Sequence, residues 1–358
     1  MPTLLAVEDL IVEFPGAVRP VRAADRVSFA VEEGRTLGLV GESGCGKSVT
    51  ALSLLRLVPE PGRIASGRIL FRGRDLMALS ERQMCAVRGR EISFVFQEPA
   101  AALNPVLTVG TQIAEGLVVH RLMKKKEALA EAARLLARVR IPDPERRVHE
   151  YPHQLSGGML QRVMIAIALA CRPALVIADE PTTALDVTIQ AEILALLRRL
   201  RDELGLSLLL ISHNLGVIAE MADRVAVMYA GRIVEEAAAK ELFRAPAHPY
   251  TRGLLRAMPR PGSSAAPGPR PRRLPAIEGA VPDLARLPSG CAFHPRCPEV
   301  MPECREAVPA LRPLGTEAVV PAGSATAVNA AGAPSVACWL HHDVSGRPRT
   351  RPAAEGMR

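Results

Sequence analysis

The stretch Gly41-Glu42-Ser43-Gly44-Cys45-Gly46-Lys47-Ser48, followed by Val49, fits the phosphate-binding pattern G-x-x-x-x-G-K-S/T. An apolar run of strand length, 36–40, precedes it and a helical run, 48–57, follows it, which is the context the pattern requires. Glycines let backbone N–H groups turn inward around phosphates, and the helix N-terminus adds partial positive charge. Lys47 is placed to reach the β- and γ-phosphates, and Ser48 to ligate magnesium. Cys45 occupies an x position. It is read as a small filler, against the alternative of a thiolate favoured by the helix start.

Outward from this loop, residues 4–14 alternate as a half-buried strand does, and apolar runs at 27–31, 92–96, 174–179 and 206–211 are strand-length and bounded by charges or turns. The clearest helical face is Ile189, Ile193, Leu196, Leu197, Leu200 and Leu204. Alternating strands and helices with fully apolar strands predict an α/β layer with a largely parallel sheet. Residues 110–145 carry a helical pattern without a strand and read as a helical insertion. The run 175–180 is an apolar strand ending in Asp179 and Glu180, which puts two carboxylates at the edge of the sheet where phosphates bind. Asp179 suits a magnesium shell, and Glu180 suits a base for an attacking water. Leu155-Ser156-Gly157-Gly158 opens another helix, as a capping turn or as an anion site.

Composition narrows the class. The 358 residues are 48% hydrophobic and 23% charged, which is globular composition. Aromatics are only 3%, against a strategy of stacking nucleobases. The formal charge of +8 allows phosphate-bearing partners without choosing among them. No apolar run reaches the length of a membrane span, and Met1 to Leu10 has no basic start, so neither a spanning nor an exported chain is expected. Seven cysteines, an odd number, argue against a disulfide framework. Four of them, Cys291, Cys297, Cys304 and Cys338, lie in the last 70 or so residues. Their spacing is wider than structural zinc favours and allows an iron–sulfur cube, with zinc and free thiols as the alternatives.

The ordered set of phosphate loop, Gln97, Ser156-Gly157-Gly158, Asp179-Glu180, Asp186 and His213 resembles the nucleotide-binding subunit of an ATP-binding cassette (ABC) transporter. The resemblance implies an α/β P-loop NTPase fold over 1–258, with an antiparallel β subdomain and a helical subdomain at about 100–172. It also implies ATP and Mg2+ as cofactors. Gln97 would touch magnesium and sense the membrane partner, and His213 would contact the γ-phosphate. Asp186 would link two sites, while Ser156, Gly157 and Gly158 would bind the γ-phosphate held by an opposite subunit. Phe14 is the expected adenine-stacking ring, with Phe29 as competitor.

The segments 96–105, 151–159, 248–251, 277–282 and 290–298 narrow the resemblance to ATPases of dipeptide/oligopeptide importers. Such a chain hydrolyses ATP to drive peptide import. It would pair with a paralogous ATPase as a heterodimer, dock on two transmembrane permease subunits at the cytoplasmic face of the membrane, and serve an extracytoplasmic peptide-binding protein. No nucleic-acid partner is expected. In this subgroup the four C-terminal cysteines look like ligands of a 4Fe–4S cluster. The implied organisation is a proline-rich linker at 259–275, a small irregular Cys-containing domain at 276–342 and a disordered tail at 343–358. Two departures, Asn214 after the histidine and the run Ala100-Ala101-Ala102, touch no phosphate in the family picture. Another cargo such as nickel, or an ABC ATPase without a transport role, is the alternative function.

Overall fold

The computed structural model describes residues 2–17, 19–120, 122–183, 185–258, 276–314, 333–343, 345 and 347–349. The expected linker at 259–275, residues 315–332 of the expected Cys-containing domain and the end of the tail lie outside the described residues. The chain forms two compact units, each assembled from separate stretches: 1–5, 31–38 and 70–212 in the first, and 6–30, 39–69 and 213–358 in the second.

In the first unit, strands Ile92–Val95, Leu175–Asp179 and Ser207–Ser212 pair in parallel, with Ile92 opposite Leu175 and Leu175 opposite Ser207. All five residues of Leu175–Asp179 and all six of Ser207–Ser212 are buried. A parallel strand covered on both faces needs a continuous apolar run, which is why these segments read so clearly in the sequence. The helical insertion is present as Val109–Val119, Lys125–Arg138 and Pro144–Arg147. Thr108 starts the first of these by accepting from Thr111 N–H. Helix Val187–Leu204 buries Ile193, Leu196, Leu197 and Leu200, the face expected from their spacing.

In the second unit, strands Arg224–Tyr229 and Arg232–Ala238 form an antiparallel pair. Ser335–Val336 adds to the latter and Arg312–Pro313 to Ser335–Val336, both antiparallel. Strands Val21–Glu32, Thr3–Phe14 and Arg63–Phe71, which have most of their length in this unit, lie side by side in that order. Strand Arg232–Ala238 carries two adjacent carboxylates, Glu235 and Glu236, each only 2% exposed. A register shift between Ile233 and Glu235 breaks the simple alternation that would send one of them outward. Burial pushes both up, and each has partners for its charged form. Arg224 bonds Glu236 at 2.8 Å, while the N–H groups of Ala247 and His248 donate to Glu235 at 2.7 and 2.9 Å.

The expected tail begins with an ordered turn. Asp343 N–H donates to Arg347 O, Arg349 N–H donates to His341 O, and Arg349 pairs with Glu303 at 2.7 Å. These hydrogen bonds and the ion pair hold a segment whose polar composition alone suggests disorder.

Candidate nucleotide site and cysteine module

The expected site residues divide between the units. Phe14, residues 41–49, His213 and the four C-terminal cysteines belong to the second; Gln97, residues 156–158, Asp179, Glu180 and Asp186 belong to the first.

In the second unit the phosphate loop follows strand Thr36–Val40 and leads into helix Lys47–Ser53. Gly46, the N-cap, has φ +103, and a Cβ there would lie 2.0 Å from Ala23 O. No other residue fits that position. Lys47 is 5% exposed, and its Nζ donates to the carbonyls of Gly41 and Glu42 at 2.9 and 3.1 Å. The ammonium is therefore held against the loop backbone, where it faces the anion such a loop would cradle. Cys45 is fully buried, its carbonyl accepts from Gly231 N–H at 3.0 Å, and burial pushes its thiol up despite the nearby Lys47. The environment is that of a packed filler. Ser48 and Val49 are half-buried. Phe14 is half-buried whereas Phe29 is 1% exposed, so only Phe14 keeps part of its ring outside the core. His213 is exposed and follows strand Ser207–Ser212, and Asn214 caps the next helix by accepting from Gly216 and Val217 N–H.

In the first unit, Asp179 is the buried last residue of its strand and Glu180 follows it. Glu180 has φ +47, the left-handed region that a side-chain-bearing residue rarely adopts. Its N–H donates to Ile211 O at 3.0 Å, which fixes this conformation. Its Oε2 accepts from Gln97 Nε2 at 3.2 Å and from Thr183 Oγ1 at 2.9 Å. The strained backbone thus presents the carboxylate to two donors, and Gln97 and Glu180, named separately in the sequence, lie in hydrogen-bond contact. Thr183 was no candidate in the sequence; a hydroxyl three residues after a glutamate carries no signal of its own. Ser156 accepts from Met159 N–H at 3.4 Å and begins helix Gly157–Leu169. Ser156 and Gly157 are exposed. A Cβ on Gly158 would lie 2.9 Å from Ile189 Cγ2, so this turn packs tightly on the neighbouring helix. Asp186 caps that helix by accepting from Ile189 N–H at 2.9 Å, and Ala184 before it lies outside the described residues. The capping turn read for Ser156 is present, while the cap that Asp186 supplies was not among the expectations for that residue.

The four C-terminal cysteines lie in one small module. Cys304 and Cys338 are buried, Cys291 and Cys297 half-buried, and Cys291 N–H donates to Cys304 O at 2.8 Å. Burial pushes Cys291 up to about 11 and Cys338 up to about 12, and the thiols also raise one another: Cys338 feels Cys291, Cys297 and Cys304. Four thiols within electrostatic reach suit a cation that would stabilise their thiolates. Among the described residues, however, they do not close into a ready metal-binding group.

A phosphate loop with its lysine, a strand-terminal Asp-Glu pair and a glutamine on the glutamate define a P-loop nucleotide hydrolase. The chain matches the family described as ABC transporter over residues 24–183, and the family described as oligopeptide/dipeptide transporter, C-terminal region, over residues 234–304. It is 53% identical over 311 residues to a protein named probable peptide ABC transporter ATP-binding protein y4tR, from Sinorhizobium fredii, covering 86% of this chain and 91% of that one. It is 50% identical over 312 residues to the oligopeptide transport ATP-binding protein AppD of Bacillus subtilis, covering 87% and 93%. With the dipeptide transport ATP-binding protein DppD of Haemophilus influenzae the identity is 47% over 316 residues, covering 88% and 94%. Among solved structures, the ATP-binding cassette MJ0796 bound to ADP and Pi superposes with TM-score 0.58 at 26% identity, over 66% of this chain and 98% of that one. The chain belongs to the ABC transporter ATP-binding proteins, in the branch that carries the oligopeptide/dipeptide transporter C-terminal region, and it is an ABC ATPase.

Proposed function

We infer that this ATPase energises the import of di- and oligopeptides. The observation that carries the reading is the joint match: one chain carries both the ABC region and the oligopeptide/dipeptide C-terminal region, and aligns over more than 85% of its length with proteins named for peptide transport. In the reaction a water oxygen bonds to the γ-phosphorus and the bond to the β–γ bridging oxygen breaks, giving ADP and phosphate. Glu180, held by Gln97 and Thr183, orients the water and accepts its proton, and His213 contacts the γ-phosphate. Phe14 stacks on adenine. Ser48, Gln97 and Asp179 would hold Mg2+, which would neutralise charge on the phosphates. Exposed Ser156 and Gly157 complete the site of a second ATPase subunit, a paralogue of this chain.

The membrane partners are two permease subunits at the cytoplasmic face, fed by an extracytoplasmic peptide-binding protein. No helix among the described residues is long and apolar enough to cross a membrane itself. Large exposed apolar residues concentrate between 96 and 151, where Phe96, Val106, Leu107 and Val119 are 39%, 75%, 37% and 66% exposed. Such side chains on either side of Gln97 suit a protein partner. The test is uptake of labelled di- and oligopeptides in a deletion strain complemented with wild type or Glu180→Gln. Uptake restored only by wild type supports the reading. Normal uptake in the deletion strain would move the ATPase to another cargo, nickel first.

For the four cysteines we infer a 4Fe–4S cluster, which would bind the four thiolates and cross-link the module. The presence of all four in one module, with Cys291 N–H on Cys304 O at 2.8 Å, supports this. Protein purified without oxygen should absorb in the visible and contain stoichiometric sulfide; zinc without sulfide would replace the cluster by a zinc site.

A further inference from the structure

Glu42, the second residue of the phosphate loop, has all three of its polar groups held. Its N–H donates to Tyr250 Oη at 2.9 Å, its carbonyl accepts from Lys47 Nζ at 3.1 Å, and its carboxylate is gripped by Arg296. That grip is bidentate: Arg296 Nη1 lies 2.7 Å from Glu42 Oε2 and Nη2 lies 3.1 Å from Oε1. Arg296 comes from the cysteine module, immediately before Cys297. The arginine is itself fixed. Its Nε donates to Glu278 O at 3.0 Å, Nη2 also reaches Ile277 O at 3.5 Å, and Nη1 reaches Tyr229 Oη at 3.4 Å. Its side chain is 5% exposed and that of Glu42 is 27% exposed. Beside it, the rings of Tyr229, Tyr250 and Phe293 pack with centroids 4.6 to 5.4 Å apart, so Tyr250 is as firmly placed as the arginine.

We propose that Arg296 is a positioning residue for ATP: with Tyr250 it clamps Glu42, and through the Glu42 carbonyl it sets where Lys47 sits in the phosphate loop. A planar guanidinium anchored on backbone carbonyls delivers a fixed fork that a lysine cannot reproduce. Releasing Glu42 loosens the carbonyl that anchors Lys47 and weakens phosphate binding, while the residues that handle water at Glu180 are untouched. The clamp acts on nucleotide affinity and does not depend on what the four cysteines bind.

The experiment titrates the full chain with a fluorescent ATP analogue and measures ATPase KM and kcat for wild type, Arg296→Lys, Glu42→Gln and the double variant. Visible absorbance and the melting temperature monitor the module. Each single variant should bind the nucleotide about five- to tenfold more weakly, the effect of losing one strong hydrogen-bonded contact. KM should rise in parallel with kcat within about twofold. The double variant should be no worse than the weaker single, because both remove one interaction. Unchanged affinity in either single variant with an intact module overturns the proposal, as do effects that multiply in the double. If Arg296→Lys disrupts the module, Glu42→Gln, which lies outside it, decides: unchanged affinity overturns the clamp. Failure of the wild-type chain to bind the analogue would instead count against the ATP site as a whole.

Discussion

Gln97 donates from Nε2 to Glu180 Oε2 at 3.2 Å, although 83 residues separate them in the chain. The bond joins the segment after strand Ile92–Val95 to the carboxylate at the end of the neighbouring strand Leu175–Asp179. The segment around Gln97, where exposed apolar side chains concentrate, is therefore in hydrogen-bond contact with the carboxylate proposed to handle water. A partner docked on that segment would have a direct mechanical route to hydrolysis.

Replacing Glu180 by Gln keeps the shape of the side chain and removes its basicity. Phosphate release should fall by about 10²- to 10⁴-fold, the usual contribution of a positioned base. Binding of a fluorescent ATP analogue should persist, because Glu180 is not part of the phosphate loop. Turnover at the wild-type rate would take Glu180 out of its role.

Gly46→Ala should abolish nucleotide binding and destabilise the fold. The new Cβ would meet Ala23 O at 2.0 Å, and the φ of +103 disfavours any side chain. A loss of about 2–4 kcal/mol in urea unfolding is the expected size for combined steric and backbone strain. Wild-type stability and affinity would mean that the loop relaxes at no cost.

Stability should fall in mild acid because of His248. This histidine is 1% exposed, and its Nδ1 accepts from Tyr250 N–H at 3.0 Å, a bond only the neutral ring can make. Burial, then Arg252 and His341, push it down from 6.5 to about 3. Between those values the unfolded chain binds a proton that the folded chain refuses. The contribution is therefore complete above pH 6.5 and is lost as the pH falls through this window, by at most about 1.4 kcal/mol per unit. His248→Asn keeps a cap for the helix and does not titrate, so its urea midpoint should drop less between pH 7 and pH 5. Equal drops in the two proteins would assign the acid sensitivity elsewhere.

Alkylation should separate two cysteines sharply. Cys85 is exposed, whereas Cys45 is fully buried with its thiol pushed up. In the folded chain at pH 8, mass spectrometry should find iodoacetamide on Cys85 within minutes and on Cys45 only after denaturant is added. Comparable labelling rates would reopen the reactive reading of Cys45.

The parallel strands were legible because burial on both faces demands an unbroken apolar run, as in residues 175–179. The helix Val187–Leu204 was legible from the spacing of its buried face. Strand Arg232–Ala238 was not: Glu235 and Glu236 interrupt any apolar pattern, and only Arg224 and the N–H groups of Ala247 and His248 make their burial tolerable. The contacts of Asp343 and Arg349 escaped for a similar reason, since Glu303 and the local backbone make them.

Within the candidate site, the loop 41–48 and the carboxylates at 179 and 180 could be read directly, and the turn at 156–158 as a helix cap whose phosphate role only the resemblance implied. Each is a contiguous stretch whose chemistry follows from residue type and local spacing: glycines that free N–H groups, a lysine at a helix start, acids at a strand end. Thr183, Tyr250 and Arg296 acquire their parts only when the chain closes. Arg296 and Glu42 are 254 residues apart, and no local periodicity encodes their bond. Sequence alone therefore determined that this protein handles nucleotide phosphates, because that capacity resides in short contiguous segments. Which distant side chains hold Glu42 and Glu180 in place was decided by tertiary structure, because a bidentate ion pair or a 3 Å hydrogen bond exists only after packing has paid the entropy of bringing remote segments together.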